Sequence, residues 1–349
     1  MKKSLLALAA LAAAGAASAQ SSVTLYGIAD ISGGYKEVNV DGAKTKTTGA
    51  NVGNLSGSRI GFKGAEDLGN GLKAVFNYEF GIDSAHGNWT SATNLNNEGS
   101  SSTSTREAFV GLEGNFGQVR VGTTDTPVRN LAIAGTADGY SDFDTTTLRA
   151  VQRASGVHYF GNFSGVGIQA FAGYSKKTET GQPDSDNYKG YGLGLSYANG
   201  PLLVGAAVQQ FKQSANAPTN SSKKTEAVVG GAYDFGTAKV FANYVYGKVG
   251  VDGNFNTAYA GAFDKVQELN LGVTVPYGAA SFVAEYGRNR YNLAGTNEKF
   301  SGNDFMIGAN YAFSKRTDVY VRAAQLNDLK NGDDKNWTRV YAAGIRHKF

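Results

Sequence analysis

The chain has 349 residues, with 33 Lys and Arg against 29 Asp and Glu, a formal charge of +4 and no cysteine. So small a balance, with no local run of basic residues, argues against a nucleic-acid partner, and without cysteine the chain cannot use the disulfides on which small exported domains usually lean. The 47 Gly, 19 Tyr and 19 Phe beside only 5 Pro exclude a disordered chain, which is poor in aromatics, and suit long strands.

Residues 1–19 read as a secretory signal peptide. Lys2 and Lys3 form a basic start, Leu5 to Ala14 an apolar core, and Ala17-Ser18-Ala19 a small-residue cleavage site before Gln20. Cleavage there leaves residues 20–349 as one exported domain and lowers the formal charge to +2 (31 basic minus 29 acidic). Beyond it no apolar run approaches the ~18 residues a spanning helix needs. If the mature chain crosses a membrane, only a closed sheet can satisfy its backbone groups there.

A period of two then recurs almost from end to end. Leu72, Ala74, Phe76, Tyr78 and Phe80 share one face, and Lys73, Val75, Asn77 and Glu79 the other. Leu269, Leu271, Val273 and Val275 oppose Glu268, Asn270, Gly272 and Thr274, and Phe305, Ile307, Ala309, Tyr311 and Phe313 oppose Asp304, Met306, Gly308 and Asn310. Such alternation marks strands with one apolar face. The polar faces mix Gly, Asn, Thr and isolated charges, and the apolar runs often end in Tyr or Phe. Apolar bands with aromatic girdles around a polar interior are the pattern of a transmembrane barrel rather than a sandwich.

Connections alternate in length. Tight turns are expected at residues 66–71, 114–117, 162–165, 199–201, 234–237, 276–278 and 313–317. Long polar loops are expected at 40–53, 83–103, 123–152, 176–187, 213–224, 251–263, 292–301 and 328–336. Eight long and seven short connections imply an all-β transmembrane antiparallel barrel of about 16 strands, with the short turns on one rim and the long loops on the other.

The third long connection, residues 123–152, differs from the rest. It holds Pro127, four Asp and a short apolar patch of Leu131, Ala132, Ile133 and Ala134. A connection this long in a compact domain is usually functional or disordered, and Leu131, Ile133, Tyr140 and Phe143 need something to pack on. The expectation is a loop folded inward that narrows the channel. The last strand, residues 337–349, ends on Phe349.

Several segments together resemble the Gram-negative trimeric general diffusion porins, in particular their β-proteobacterial branch. They are Gln20-Ser-Ser-Val-Thr-Leu-Tyr-Gly27, Ser58-Arg-Ile-Gly-Phe-Lys-Gly64 with Glu66-Asp-Leu-Gly-Asn-Gly71, Arg106-Glu-Ala-Phe-Val-Gly-Leu112, Phe116-Gly-Gln-Val-Arg-Val-Gly122, Thr126-Pro127 and the terminal Phe349. The resemblance implies a sixteen-stranded water-filled channel in the outer membrane of a Gram-negative bacterium, passing ions and small hydrophilic solutes, with its third long loop folded inward. It also implies a homotrimer, contact with membrane lipid and lipopolysaccharide, and a terminal aromatic, Phe349, read by the outer-membrane barrel assembly machinery. Members usually carry a basic residue where this chain has Thr123, so one expected lumen charge is missing.

Within that frame, wall arginines should face acids on the inward loop. Arg59 and Lys63 oppose Ile60 and Phe62, and Arg120 opposes Val119 and Val121, so pattern alone turns all three toward the lumen. Arg106 shares parity with the apolar Ala108, Val110 and Leu112, and only its place beside a long loop and the resemblance favour the pore. Arg149 and Arg153 bracket the end of the inward loop, and Asp125, Asp138, Asp142 and Asp144 are the expected loop acids. The mature charge and the arginines motivate a weak preference for anions.

Enzyme readings find little. His86, His158 and His347 are far apart, no metal ligands cluster, and no cofactor motif stands. Gly190-Tyr-Gly-Leu-Gly194 superficially suggests a nucleotide loop, but its glycines alternate within a strand instead of leading from a strand into a helix. Ser155 with His158 is the one conceivable nucleophile and base. A secreted soluble β-sandwich binding protein and a narrow adhesin-type outer-membrane barrel are the alternatives of other classes.

Overall fold

The structure is a computed structural model that describes residues 22–40, 42–52, 55–82, 105–137, 153–174, 188–214, 221–249, 263–293, 299–326 and 336–349. Residues 1–19, and with them the expected cleavage site, lie outside the described residues, as do Asp138, Asp142, Asp144 and Arg149. The elements are β1 (Ser22–Val40), β2 (Ala43–Val52), β3 (Arg59–Gly69), β4 (Leu72–Gly81), β5 (Thr105–Gly114), β6 (Gly117–Asp125), a short helix α1 (Pro127–Ala134), β7 (Arg153–Phe163), β8 (Val166–Tyr174) and β9 (Tyr188–Asn199). They continue with β10 (Leu202–Ser214), β11 (Ser221–Asp234), β12 (Lys239–Val249), β13 (Phe263–Tyr277), β14 (Ala280–Leu293), β15 (Lys299–Ala312), β16 (Thr317–Leu326) and β17 (Trp337–Lys348).

Every strand pairs antiparallel with its neighbours, and β17 returns to β1 from Ile28↔Lys348 to Asn39↔Trp337, which closes the cylinder. Closure matters because an unpaired backbone group in hydrocarbon costs several kcal/mol. On its other edge β1 pairs with β2 along residues 31–40 and with β3 along residues 22–28. Together β2 and β3 therefore form one stave interrupted between Val52 and Arg59, so the segments make a closed sixteen-strand barrel. Beyond β17, Phe349 exchanges two backbone hydrogen bonds with Gly27, at 3.0 and 3.1 Å. A side chain at Gly27 would strike the Phe349 ring, so the glycine is what lets the terminal aromatic lie across β1.

The alternation read from the sequence sorts the side chains as a membrane barrel requires. Val121, Leu195 and Ile307 point outward and are 56, 51 and 62% exposed. Phe116, Phe163, Phe235, Tyr277, Phe313 and Phe349 form an exposed aromatic belt at the short-turn rim, and Tyr191, Tyr244, Phe305 and Tyr341 lie toward the other rim. Such belts flank the lipid-facing band of outer-membrane barrels. No helix among the described residues is long and apolar enough to cross a membrane; the strands make the crossing. The interior holds Asp30, Gln209, Glu226, Asn243, Glu268 and Asp304, all buried. Among the described residues its buried apolar side chains gather mainly in three small clusters, the largest two beneath the segments that fold inward.

Two loop expectations are corrected. Residues 40–53 are no loop: Ala43–Val52 is a strand, and β1 and β2 form a tall hairpin that turns at Gly42. Residues 213–224 are strand at both ends, with β10 running to Ser214 and β11 starting at Ser221; residues 215–220 lie outside the described residues. The physical reason is the same in both. Above the lipid band both faces of a strand meet water, so the backbone ladder continues while the hydropathic alternation that betrays a strand fades.

Candidate functional site

The inward loop starts with a well-formed helix terminus. Thr126 is the N-cap, its Oγ1 accepting from the Arg129 N–H at 3.4 Å, and Pro127 takes the first helical position, where a missing N–H is harmless. Val128 and Leu131, three apart and hence on one face, pack against Ala207, Val228 and Val245 of β10, β11 and β12. At the far end the Asn243 amide donates to the carbonyls of Ala132 (3.1 Å) and Gly135 (3.0 Å), and the Ala137 N–H donates to Glu285 Oε1 at 2.5 Å. The loop thus runs inside the barrel along β8 to β12 and reaches β14.

Glycines clear the wall beside it. Gly190, Gly192 and Gly194 occupy the inward face of β9, where added side chains would meet the Phe211 ring, the Phe171 ring and Pro127. The run that superficially suggested a nucleotide loop is a smooth stretch of wall.

A second inward segment, residues 55–58, fills the interruption between β2 and β3. Asp30 holds it: Oδ2 accepts from the N–H groups of Leu55 (3.0 Å) and Ser56 (2.6 Å), and Oδ1 from the Tyr320 hydroxyl (2.7 Å). Leu55 packs on Met306, Tyr320, Val340 and Ala342, and Ala137 of the loop rests on the same cluster. The segment delivers Arg59 to the wall, where its Nε donates to the Gly57 carbonyl at 2.8 Å.

Four arginines then gather on the wall from β3 to β7 and the start of α1. Glu79 Oε1 accepts from Arg106 Nε at 2.5 Å and lies 3.7 Å from Arg59 Nη1. Asp125 Oδ1 takes Arg129 Nε at 2.8 Å and Arg153 Nε at 3.0 Å. Glu107 sits between the two groups, accepting from the Asn77 amide (2.7 Å) and the Thr124 hydroxyl (3.0 Å). Four arginines against three carboxylates leave one net positive charge. The side chains of Arg59, Arg106 and Arg153 are 21, 18 and 17% exposed, so each is held by its partner yet keeps an edge toward the lumen.

Arg106 reaches this group through a break in its strand. Thr105 pairs with Phe80 and Glu107 with Glu79, leaving Arg106 unpaired in a β-bulge. A bulge re-aims the extra side chain, which overrides the outward parity read from the sequence. Of the other expected wall cations, Arg120 and Lys63 share neither carboxylate; Arg120 reaches the group only through the Thr124 hydroxyl, at 3.2 Å. Arg120 is clamped between the Phe109 and Phe160 rings, 4.3 and 4.0 Å from their centroids, with a hydrogen bond to Gln118. Lys63 lies over the Tyr26 ring at 5.0 Å.

Two expectations change. Asp125 is not an acid of the inward loop facing the arginines; it is the last residue of β6 and lies among them, paired in register with Arg153. Thr123 does not leave a gap in the lumen. It shares parity with the outward Val121 and bonds Ser155 Oγ at 2.7 Å. Facing the arginines, the acids among the described residues are on the opposite wall: Glu226, Glu268, Glu285 and Asp304 of β11, β13, β14 and β15, all buried. They are engaged by Gln209 and Lys224, by the Tyr291 hydroxyl, by the Ala137 N–H and by Asn289, in that order. Glu79, Glu107, Arg129 and these far-wall acids were missed as site residues, although each acid interrupts the polar face of a regular strand and Arg129 follows a recognisable cap.

Serine–histidine chemistry is absent from the one pair that offered it. His158 points inward, bonding the Ala154 carbonyl at 2.9 Å, while Ser155 points outward to Thr123. Among the described residues no three His, Cys, Asp or Glu are grouped to hold a metal ion.

Comparison with known proteins decides the family. A Gram-negative porin model matches residues 5–331. The chain belongs to the Gram-negative porin family. It is 31% identical to an outer membrane porin protein of Bordetella pertussis over the full length of both, and 32% identical to outer membrane porin protein 32 of Delftia acidovorans over 99% of this chain and 95% of that one. Among solved structures it is similar to an anion-selective porin from Comamonas acidovorans, with a TM-score of 0.72 and 26% identity over 95% of this chain and 100% of that one. The chain is an outer-membrane porin, a barrel for passive passage of ions and small hydrophilic solutes, and its relatives are channel proteins.

Proposed function

We propose that the arginines of β3, β5, α1 and β7 form the narrowest, selective part of the pore and give it a weak preference for anions. The observation that carries this is the sharing of Glu79 and of Asp125 by two arginines each, which leaves positive charge in excess at partly exposed groups. Two unit charges about 8 Å apart in water interact by roughly 0.5 kcal/mol. Three or four such arginines bias permeation by about 1–2 kcal/mol, enough for a preference among ions and too little for a tight site. The similar porin from Comamonas acidovorans is anion-selective. The acids of the far wall, and Asp138, Asp142 and Asp144, work against it. Bilayer recording of the purified protein across a salt gradient is the test: a reversal potential that favours chloride supports the reading, and one that favours potassium overturns it.

The rest of the proposal follows from family membership. Passage through the lumen is the chain's whole activity, with no catalytic step and no cofactor. The barrel works as a homotrimer, so that conductance falls in steps of three. It sits among membrane lipid and lipopolysaccharide after removal of residues 1–19. The barrel assembly machinery reads Phe349, whose seat across Gly27 makes it the residue that completes the closing seam.

A further inference from the structure

On one side of α1 the helix stands clear of the wall. Val166 of β8, Leu193 and Leu195 of β9 and Val204 of β10 face outward, so Gly167, Gln169, Gly194, Ser196, Leu203 and Gly205 face inward. Register sets these positions in two rows. In the row nearer the short turns Gly167 stands opposite Ser196, and Ser196 opposite Gly205. In the next row Phe160 stands opposite Gln169, Gln169 opposite Gly194, and Gly194 opposite Ala207. A side chain added at Gly194 or Gly205 would crowd Pro127 or Leu131 of the helix, whereas one at Gly167 would meet only Ser196. The helix therefore rests on β9 and β10 and lifts away toward β8. A cavity of about 240 Å³ is left there, roofed by Pro127, Asn130 and Ala134, with Phe160 and Leu203 at its sides.

The lining says what fits. None of the described side chains around the cavity is charged. Arg129 leaves the helix on the opposite side, since residues 127, 130 and 134 share one face at 3.6 residues per turn. A charged solute would lose its hydration here without gaining a partner, and an uncharged one would not. Three neutral polar groups meet across the space. The Ser196 hydroxyl lies over Gly167, Asn130 Nδ2 donates to Gln169 Oε1 at 2.8 Å, and Gln169 Nε2 donates to the Asp125 carbonyl at 2.9 Å. Those bonds fix both amides, yet each amide and the hydroxyl can still bond a further group. Between them the surface is apolar, from Leu131, Ala134, Leu203 and the Phe160 ring. A mostly apolar cavity with a few fixed polar groups is the usual make-up of a small-molecule site, and this one is below the about 300 Å³ at which sites for drug-sized ligands begin. It has room for one ring. A ring with apolar C–H faces and hydroxyls around its edge uses all three polar groups at once, which a ring with a single hydroxyl does not.

We propose that this cavity is a subsite for a neutral monosaccharide in its pyranose form, lying beside Phe160 with hydroxyls on Asn130, Gln169 and Ser196. The subsite deepens the porin reading and rests on it only for the route by which the sugar arrives. Its test uses the purified full chain in a detergent without a sugar headgroup, beside Ser196→Leu, which fills the cavity from its floor, and Ser196→Ala, which removes only the hydroxyl. Circular dichroism checks that each variant folds. Saturation-transfer NMR then measures binding of methyl glucopyranoside, of sorbitol as an open-chain polyol, and of phenol. The wild type should bind the glycoside several-fold better than sorbitol, Ser196→Ala should weaken that binding several-fold, and Ser196→Leu should abolish it. Equal binding by Ser196→Leu and the wild type overturns the proposal, as does equal binding of sorbitol. A preference for phenol over the glycoside assigns the cavity to apolar rings and overturns it as well. Unchanged affinity in Ser196→Ala does the same, and that variant keeps the decision if Ser196→Leu fails to fold. Bilayer currents from the same samples test the channel separately: a protein that conducts but binds no glycoside sinks this inference and leaves the porin standing, and one that binds without conducting sinks only the porin.

Discussion

The wall from β3 to β7 and the wall from β8 to β12 narrow the same lumen with opposite materials. The first is set with arginines and carboxylates, each cation held by a shared acid while keeping an edge toward water. The second is smooth where the helix lies: Gly194 of β9 and Ala207, Val228 and Val245 of β10 to β12 receive the dry face of α1, and Asn243 holds its far end. The difference shows how the tasks divide. One side supplies fixed charge where ions pass; the other supplies a flat seat that holds the constricting loop still. A loop docked on a charged wall would neutralise the charges it should present.

If this division holds, selectivity and conductance should break separately. The largest effect is expected from the charged wall. Replacing Arg59, Arg106 and Arg153 by Glu together removes the excess positive charge and installs negative charge, so the reversal potential in a salt gradient should change sign, a swing of about 1–2 kcal/mol or more in relative permeation. A pore that stays anion-preferring would place selectivity elsewhere. Next is the dry wall. Leu131→Asp puts a charge among Val128, Val228 and Val245 and should release the helix, since loss of a buried Leu side chain alone costs about 2–5 kcal/mol. Single-channel conductance and current noise should rise while ion preference changes less. Unchanged conductance would mean that the helix does not constrict.

Smaller effects should come from single members of the charged wall. Glu79→Gln leaves Arg59 and Arg106 without their shared carboxylate and should raise anion preference by roughly 0.5 kcal/mol, about twofold. A shift toward cations would show that Glu79 matters for holding the arginines rather than for its charge. Arg120→Gln should move the reversal potential least. That guanidinium is clamped between two rings and makes no ion pair with either shared acid, and the loss should instead lower the unfolding temperature through the missing ring contacts, worth about 1 kcal/mol.

The alternation of β4, β13 and β15 was legible because each of these strands separates lipid from water, and no other arrangement leaves so regular a mark. The tight turns were legible for the same reason, as sharp ends to the alternation. The strand β2 was not, because it rises beyond the lipid band and loses the contrast. Arg106 shows the limit at the site itself: parity pointed it outward, and only the pairing of Thr105 with Phe80 and of Glu107 with Glu79 shows that the count slips by one there. The inward loop was visible as a break in pattern, but its helix and its glycine seat were not, since neither leaves a period long enough to read.

By itself the sequence determined the closed barrel, its approximate strand number and which side chains meet lipid, because hydrophobic burial in a bilayer acts residue by residue along each strand. Which charges become neighbours was decided only by the tertiary structure. Glu79, Arg106, Asp125, Arg129 and Arg153 come from five elements, and their meeting depends on register, on one bulge and on where a helix finds room against glycine, all of which are set by pairing between strands and none by any strand alone.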